Sequence, residues 1–242
     1  WTPLAESLAA AFWPGPLTLV LARRSGCRLS LLVSAGLDTA AVRAPRHPLA
    51  QALLRAAGRP IASPSTNLAG RTTPARPEHV VPSLGTDVDI VLDGGPCLIG
   101  IESTVVDASG LQAAILRPGG VTRADIERIA GPLAVPTPGG PLHSPGMLES
   151  HYAPGLPLRL NVTEVGPLEG LLAFGAKPLE GAGLTVNLSP TGDLTEAAAN
   201  LFAAMRALDR PGLERISVMP IPEQGLGEAI NDRLRRAAAP RP

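Results

Sequence analysis

The sequence predicts an α/β protein of two domains. Two observations carry this: short Leu- and Val-rich runs alternate with helical patterns on both sides of residues 131–157, and that stretch holds seven prolines and five glycines without a hydrophobic period. The predicted domains are therefore 1–130 and 158–242, joined by a connector over 131–157.

Leu4, Leu8 and Phe12 recur at helical spacing, and Pro14-Gly15-Pro16 ends that helix because proline lacks the N–H and clashes with the preceding turn. Strands are predicted at Leu17 to Ala22, Leu29 to Val33 and Ala40 to Arg43, with Gly36 and Asp38 marking the turn between the last two. His47 to Ala57 reads as a helix with Leu49, Leu53 and Leu54 inward and Gly58 closing it. Arg59 to Ala62 is strand-like and leads into Ser63-Pro-Ser65-Thr-Asn67, a hydroxyl-rich loop whose donors suit an anion, although such clusters are also ordinary turn chemistry.

Further strands are predicted at Val88 to Leu92, Ser103 to Asp107 and Ala113 to Leu116. A helix follows over Thr122 to Ile129, with Thr122 as its cap and Asp125 in its first turn. Beyond the connector, strands at Leu171 to Phe174, Leu184 to Asn187 and Ile216 to Met219 alternate with helices over Thr195 to Leu208 and Leu226 to Arg236. Gly225-Leu-Gly227 is half a dinucleotide fingerprint, and without a third glycine and a later acidic residue the packing reading is preferred.

Composition narrows the function classes. The 21 basic and 21 acidic residues cancel, and aromatics make up 2% of the chain, which argues against a polyanion binder or a base-stacking platform. Lys177 is the single lysine and lies outside the polar loops, so anion contacts in the first half fall to arginine, hydroxyls or backbone N–H groups. Cys27 and Cys97 are far apart and lack metal-ligand spacing, giving an expectation of reduced thiols and no bound zinc. No apolar run is long enough to span a bilayer, and the expectation is a cytoplasmic protein.

Phe12-Trp13-Pro14-Gly15-Pro16-Leu17-Thr18-Leu-Val-Leu21, Thr39-Ala-Ala-Val-Arg43-Ala-Pro45, Ser63-Pro-Ser65-Thr-Asn67, Gly100-Ile-Glu102-Ser103-Thr104-Val-Val-Asp107 and Ile115-Leu-Arg117-Pro-Gly-Gly120 occur in this order. Together they resemble the Sua5/YrdC/YwlC family of threonylcarbamoyl-AMP synthases. Ser144-Pro-Gly-Met147 and His151-Tyr152-Ala-Pro154 resemble the connector of its long, two-domain form. The resemblance implies a YrdC-like twisted, open mixed sheet with helices, followed by a small Rossmann-like α/β C-terminal Sua5 domain. The family's threonine-rich N-terminal strand and Lys-x-Arg motif have no counterpart, so the expectation is a chain lacking its N-terminal part, with reduced stability.

The implied reaction condenses ATP, L-threonine and bicarbonate into threonylcarbamoyl-adenylate and pyrophosphate, for the threonylcarbamoyladenosine modification of tRNA. The product would pass to the tRNA-modifying transferase machinery, with at most weak RNA contact. Mg²⁺ would accompany ATP, held mainly by phosphates and water. The resemblance implies threonine contacts at Arg43, Ser63 and Ser103, and ATP contacts at Thr39, Ser65, Asn67, Thr73, Arg117 and Tyr152. A guanidinium can grip a carboxylate with two parallel hydrogen bonds, which suits Arg43, while Arg117 at a strand end would neutralise phosphate charge. Glu102 is either a general base or an acceptor for turn N–H groups. His47 reads as a helix starter and His151 as a turn residue. Tyr152 would close over the nucleotide as part of a lid. An RNA-binding module or an inactive remnant are the alternative readings.

Overall fold

The computed structural model describes residues 1–67, 70–135 and 150–240, and its compact parts do not follow the chain in one cut. Trp1–Ser63 and Glu102–Met147 group as one unit, Pro64–Ile101 and Leu148–Pro242 as the other. The predicted connector over 131–157 divides the chain by composition, and in space residues 64–101 group with the C-terminal half.

In the first unit, α1 (Pro3–Phe12) starts where the Thr2 hydroxyl accepts the Ala5 N–H at 3.0 Å, and it buries Ala5 and Leu8. β1 (Leu17–Ala22) pairs antiparallel with β2 (Thr39–Val42) and parallel with β3 (Thr104–Asp107), and β3 pairs antiparallel with β4 (Ala114–Arg117). The mixed sheet order is β2-β1-β3-β4. Its core gathers Leu8, Leu17, Leu19, Val106 and Ile126, the last from α4 (Arg123–Ala130). The cap of α4 is reciprocal: the Thr122 hydroxyl accepts the Asp125 N–H at 3.2 Å and donates to the Asp125 carboxylate at 2.7 Å.

Three predicted strands are absent. Leu31–Ser34 forms a 3₁₀ turn in place of a strand over Leu29 to Val33. Here Arg23 donates to the carbonyls of Leu29 and Ser30 and to the Ser34 hydroxyl, so a side chain meets the acceptors a neighbouring strand would have met. Val88 to Leu92 and Arg59 to Ala62 are irregular, and Ile90 and Ile61 are exposed, because β propensity without a pairing partner does not make a strand. α2 (Pro48–Ala57) forms as predicted, with His47 Nδ1 accepting the Leu49 N–H and left-handed Gly58 closing it, but Leu49 and Leu53 are exposed and none of its residues is buried. Local capping determines that helix, not an inward face.

In the second unit, β5 (Leu158–Arg159), β6 (Glu169–Ala173), β7 (Leu184–Asn187) and β8 (Arg215–Val218) form an all-parallel sheet in the order β5-β8-β6-β7. β5 escaped the sequence reading because two residues carry no alternation. α5 (Leu194–Leu208) and α6 (Leu226–Ala238) complete the α/β layer, and Leu172, Leu188, Leu201, Phe202, Ile216 and Ile230 fill its core. A short α3 (Val80–Leu84) also lies in this unit. Gly225 caps α6 with φ +57°, and a Cβ at Gly227 would stand 1.8 Å from the Pro222 carbonyl oxygen, so the glycine pair serves backbone packing. Among the described residues no helix is long and apolar enough to cross a membrane. Both cysteines are free thiols.

Candidate functional site

Register places three of the predicted residues at one end of the first sheet. Leu17 faces Thr104, Leu19 faces Val42, and Val105 faces Arg117, so the start of β1, the end of β2, the start of β3 and the end of β4 lie together. Arg43 follows β2, Ser103 precedes β3 and Arg117 closes β4 at that end.

Ser103 is buried, and its hydroxyl meets the Thr18 hydroxyl at 2.7 Å. Arg117 Nη2 donates to the Ser103 carbonyl at 2.9 Å and approaches its hydroxyl at 3.3 Å. The two segments are locked: the Thr104 hydroxyl donates to the Val121 carbonyl at 2.6 Å, and the N–H groups of Val121 and Gly120 donate to Thr104 Oγ1 and to the Glu102 carbonyl. A Cβ at Gly119 would stand 2.4 Å from the Glu102 carbonyl oxygen, so only glycine allows this approach. The result is a cationic, hydroxyl-lined sheet end that can hold an anion through charge-assisted hydrogen bonds.

Thr18 is the residue that sequence reasoning missed. It lay inside the Trp13 to Leu21 block, and the signal was a lone hydroxyl in an apolar strand.

Thr39 begins β2 opposite Ala22, at the other end of that strand from Val42, about 10 Å away at the usual strand rise. It therefore does not join Arg43, Ser103 and Arg117. Arg43 and Ser63 are exposed, and Ser63 is the last residue of this part of the first unit.

The second unit holds the remaining predicted ATP contacts. Ser65 donates to the Asn67 side-chain carbonyl, and the buried Asn67 donates its amide to the Arg71 carbonyl at 2.9 Å. Gly70 accepts the Ala153 N–H at 2.8 Å, Arg71 and Ala153 form a parallel bridge, and the Thr72 hydroxyl donates to the Tyr152 carbonyl at 3.2 Å. Thr73, half-buried, follows directly. The polar loop and the His-Tyr-Ala-Pro block thus lie side by side, a pairing that their separation in sequence conceals.

Tyr152 does not stand out as a lid. Its ring is 1% exposed, lies 5.6 Å from the Phe202 ring and 4.1 Å from His151, and carries the Arg233 guanidinium at 5.2 Å. Apolar burial with a cation on the ring face makes it an anchor, held at φ +67°. Ser144-Pro-Gly-Met147 and most of the expected lid lie outside the described residues. Among the described residues no group of three His, Cys, Asp or Glu side chains is placed to hold a metal ion.

Residues 1–119 match the Sua5_yciO_yrdC family model, described as "Telomere recombination", and residues 121–239 match the threonylcarbamoyl-AMP synthase C-terminal domain. The Bacillus subtilis threonylcarbamoyl-AMP synthase is 37% identical over 98% of this chain and 73% of its own length. That of Pyrococcus abyssi is 36% identical over 97% of this chain and 73% of its length. The crystal structure of P. abyssi Sua5 complexed with L-threonine superposes with a TM-score of 0.88, covering 98% of this chain and 74% of that one at 33% identity.

Proposed function

We infer the reaction from the family to which this chain belongs, the Sua5/YrdC threonylcarbamoyl-AMP synthases. The chain is a nucleotidyltransferase that uses L-threonine and ATP in the synthesis of the threonylcarbamoyladenosine modification of tRNA. The observation that carries the mechanism is the convergence of Arg43, Ser103 and Arg117, with Thr18, at one sheet end.

Bicarbonate supplies the carbamoyl carbon. The threonine amine becomes a carbamate with loss of water, a carbamate oxygen attacks the α-phosphorus of ATP, and the α-β bridging oxygen leaves with pyrophosphate. Little covalent help is needed from the protein, so positioning and charge stabilisation dominate. Arg43 pairs with the threonine carboxylate, and Ser63 and Ser103 orient the amino acid. Ser103 is suited to this because Thr18 and Arg117 fix its hydroxyl and carbonyl. Arg117 offsets phosphate charge, and Ser65, Asn67 and Thr73 hold the nucleotide, with Thr39 a further contact from the far end of β2. Mg²⁺ would come with ATP as part of the substrate, held mainly by phosphates and water, and would neutralise phosphate charge beside Arg117. Tyr152 contributes by bracing the Gly70 to Thr72 backbone. The adenylate is then handed to a transferase that acts on tRNA.

Incubation with Mg²⁺, ATP, L-threonine and bicarbonate should release pyrophosphate and form the adenylate, and omission of any one substrate should stop both. Pyrophosphate release that ignores threonine would overturn this reading.

A further inference from the structure

Arg206 lies near the end of α5, yet its guanidinium is directed away from its own helix. Nη2 donates to the Thr72 carbonyl at 2.5 Å and to the Ser83 hydroxyl at 3.2 Å. Thr72 is 5% exposed and is tied on its other side to Tyr152, while Arg71 is tied to Asn67 and Ala153. The backbone from Gly70 to Thr72 is thus held from three directions, and Arg206 is the charged contact among them.

Burial lowers the pKa of the guanidinium, an effect that the Asp209 carboxylate opposes. The same Asp209 accepts the N–H groups of Gly155 at 2.6 Å and Leu156 at 2.9 Å. The last turn of α5 and its C-cap therefore hold two segments, Gly70 to Thr72 through Arg206 and the residues just after the His-Tyr-Ala-Pro block through Asp209. A cation drawn out of water to hold a backbone carbonyl fixes the placement of that backbone, because a charge-assisted bond in partial burial tolerates little displacement.

We propose that Arg206 is a positioning residue for ATP: by fixing the Thr72 carbonyl it sets where the Asn67 amide and the Thr73 hydroxyl stand, and the C-terminal domain thereby takes part in nucleotide binding. This rests on the reading of Asn67 and Thr73 as ATP contacts. A misplacement of about 1 Å at such a site costs on the order of a hundredfold, so a partial loss of support should cost at least about tenfold.

The test is steady-state kinetics of the intact enzyme with Arg206→Met, Arg206→Lys and Thr73→Ala. Arg206→Met should raise KM for ATP about tenfold or more while moving KM for threonine less than about twofold, and Arg206→Lys, which keeps the positive charge and a donor nitrogen but not the planar fork, should recover part of the loss. Unchanged KM for ATP, or equal rises for ATP and threonine, would make Arg206 a stability residue and overturn the proposal alone. Thr73→Ala separates the premise: if it leaves KM for ATP unchanged, the nucleotide reading of this arm is wrong and the proposal falls with it. Should Arg206→Met fail to fold, Arg206→Lys decides, with wild-type constants for both substrates counting against the proposal.

Discussion

Arg43 and Arg117 occupy the same sheet end, but their surroundings differ. Arg43 is exposed, whereas Arg117 is half-buried and bonded to Ser103. Arg43→Ala should weaken threonine binding by about 2 to 3 kcal/mol with ATP binding spared, as measured by calorimetric titration. Arg117→Ala should raise KM for ATP more than KM for threonine; the opposite order would exchange the two assignments. Gly119→Ala tests the lock between the strands. Its Cβ meets the Glu102 carbonyl oxygen and the Ser103 and Thr104 backbone, atoms that cannot swing aside, and overpacking of this kind costs about 1 to 3 kcal/mol. Pyrophosphate release should fall with Gly119→Ala even at temperatures where circular dichroism shows the variant folded, because Ser103 and Arg117 are displaced.

The elements differ in what holds them. α5 buries Leu201 and Phe202 fully, so Leu201→Ala should cost about 2 to 5 kcal/mol in denaturant unfolding. Leu53→Ala on α2 should cost under about 1 kcal/mol, since Leu53 is already 45% exposed and capping maintains that helix. In the parallel sheet, Glu169 of β6 accepts from Ser217 of β8 at 2.6 Å and from Arg159 of β5 at 2.8 Å, joining three strands. The Ser217 hydrogen bond is the main cause of its lowered pKa, with Arg159 adding and burial opposing. A carboxyl whose folded value is depressed stabilises the fold above its unfolded value, and that contribution is lost as pH falls through the folded one. Stability of the wild type should therefore decline below about pH 4.5 more steeply than that of Glu169→Gln, which lacks the titrating group; parallel curves would deny Glu169 this role. His79 lies just before α3, and burial first, then Arg206, lowers its pKa. The neutral ring is the form that the fold favours, and its Nδ1 accepts the Ala75 N–H at 3.4 Å.

Across the whole molecule, residues 64–101 depend on the C-terminal half: Ala75 and Ile101 belong to its core, and Ala153 pairs with Gly70 and Arg71. A chain ending at residue 135 should consequently lose amide protection at Cys97, which bonds to the Ala75 carbonyl. Retained protection there in hydrogen exchange would mean that the segment folds without its partner. The sequence by itself determined the strands β1 to β4 and β6 to β8, the capped helices and the family, because alternation, proline and glycine placement and short ordered motifs are local signals. It also led to Arg43, Ser103 and Arg117, whose shared sheet end required only that the strands pair in the observed register. What only the tertiary structure decided was the fate of residues whose partners are distant in sequence. Leu29 to Val33 and Val88 to Leu92 have strand composition without a strand to pair, Thr18 gains a role only beside Ser103, and Tyr152 becomes an anchor only beneath Arg233. Propensity is a property of a segment, whereas hydrogen-bond pairing and burial belong to two segments at once, and their meeting is not written in either.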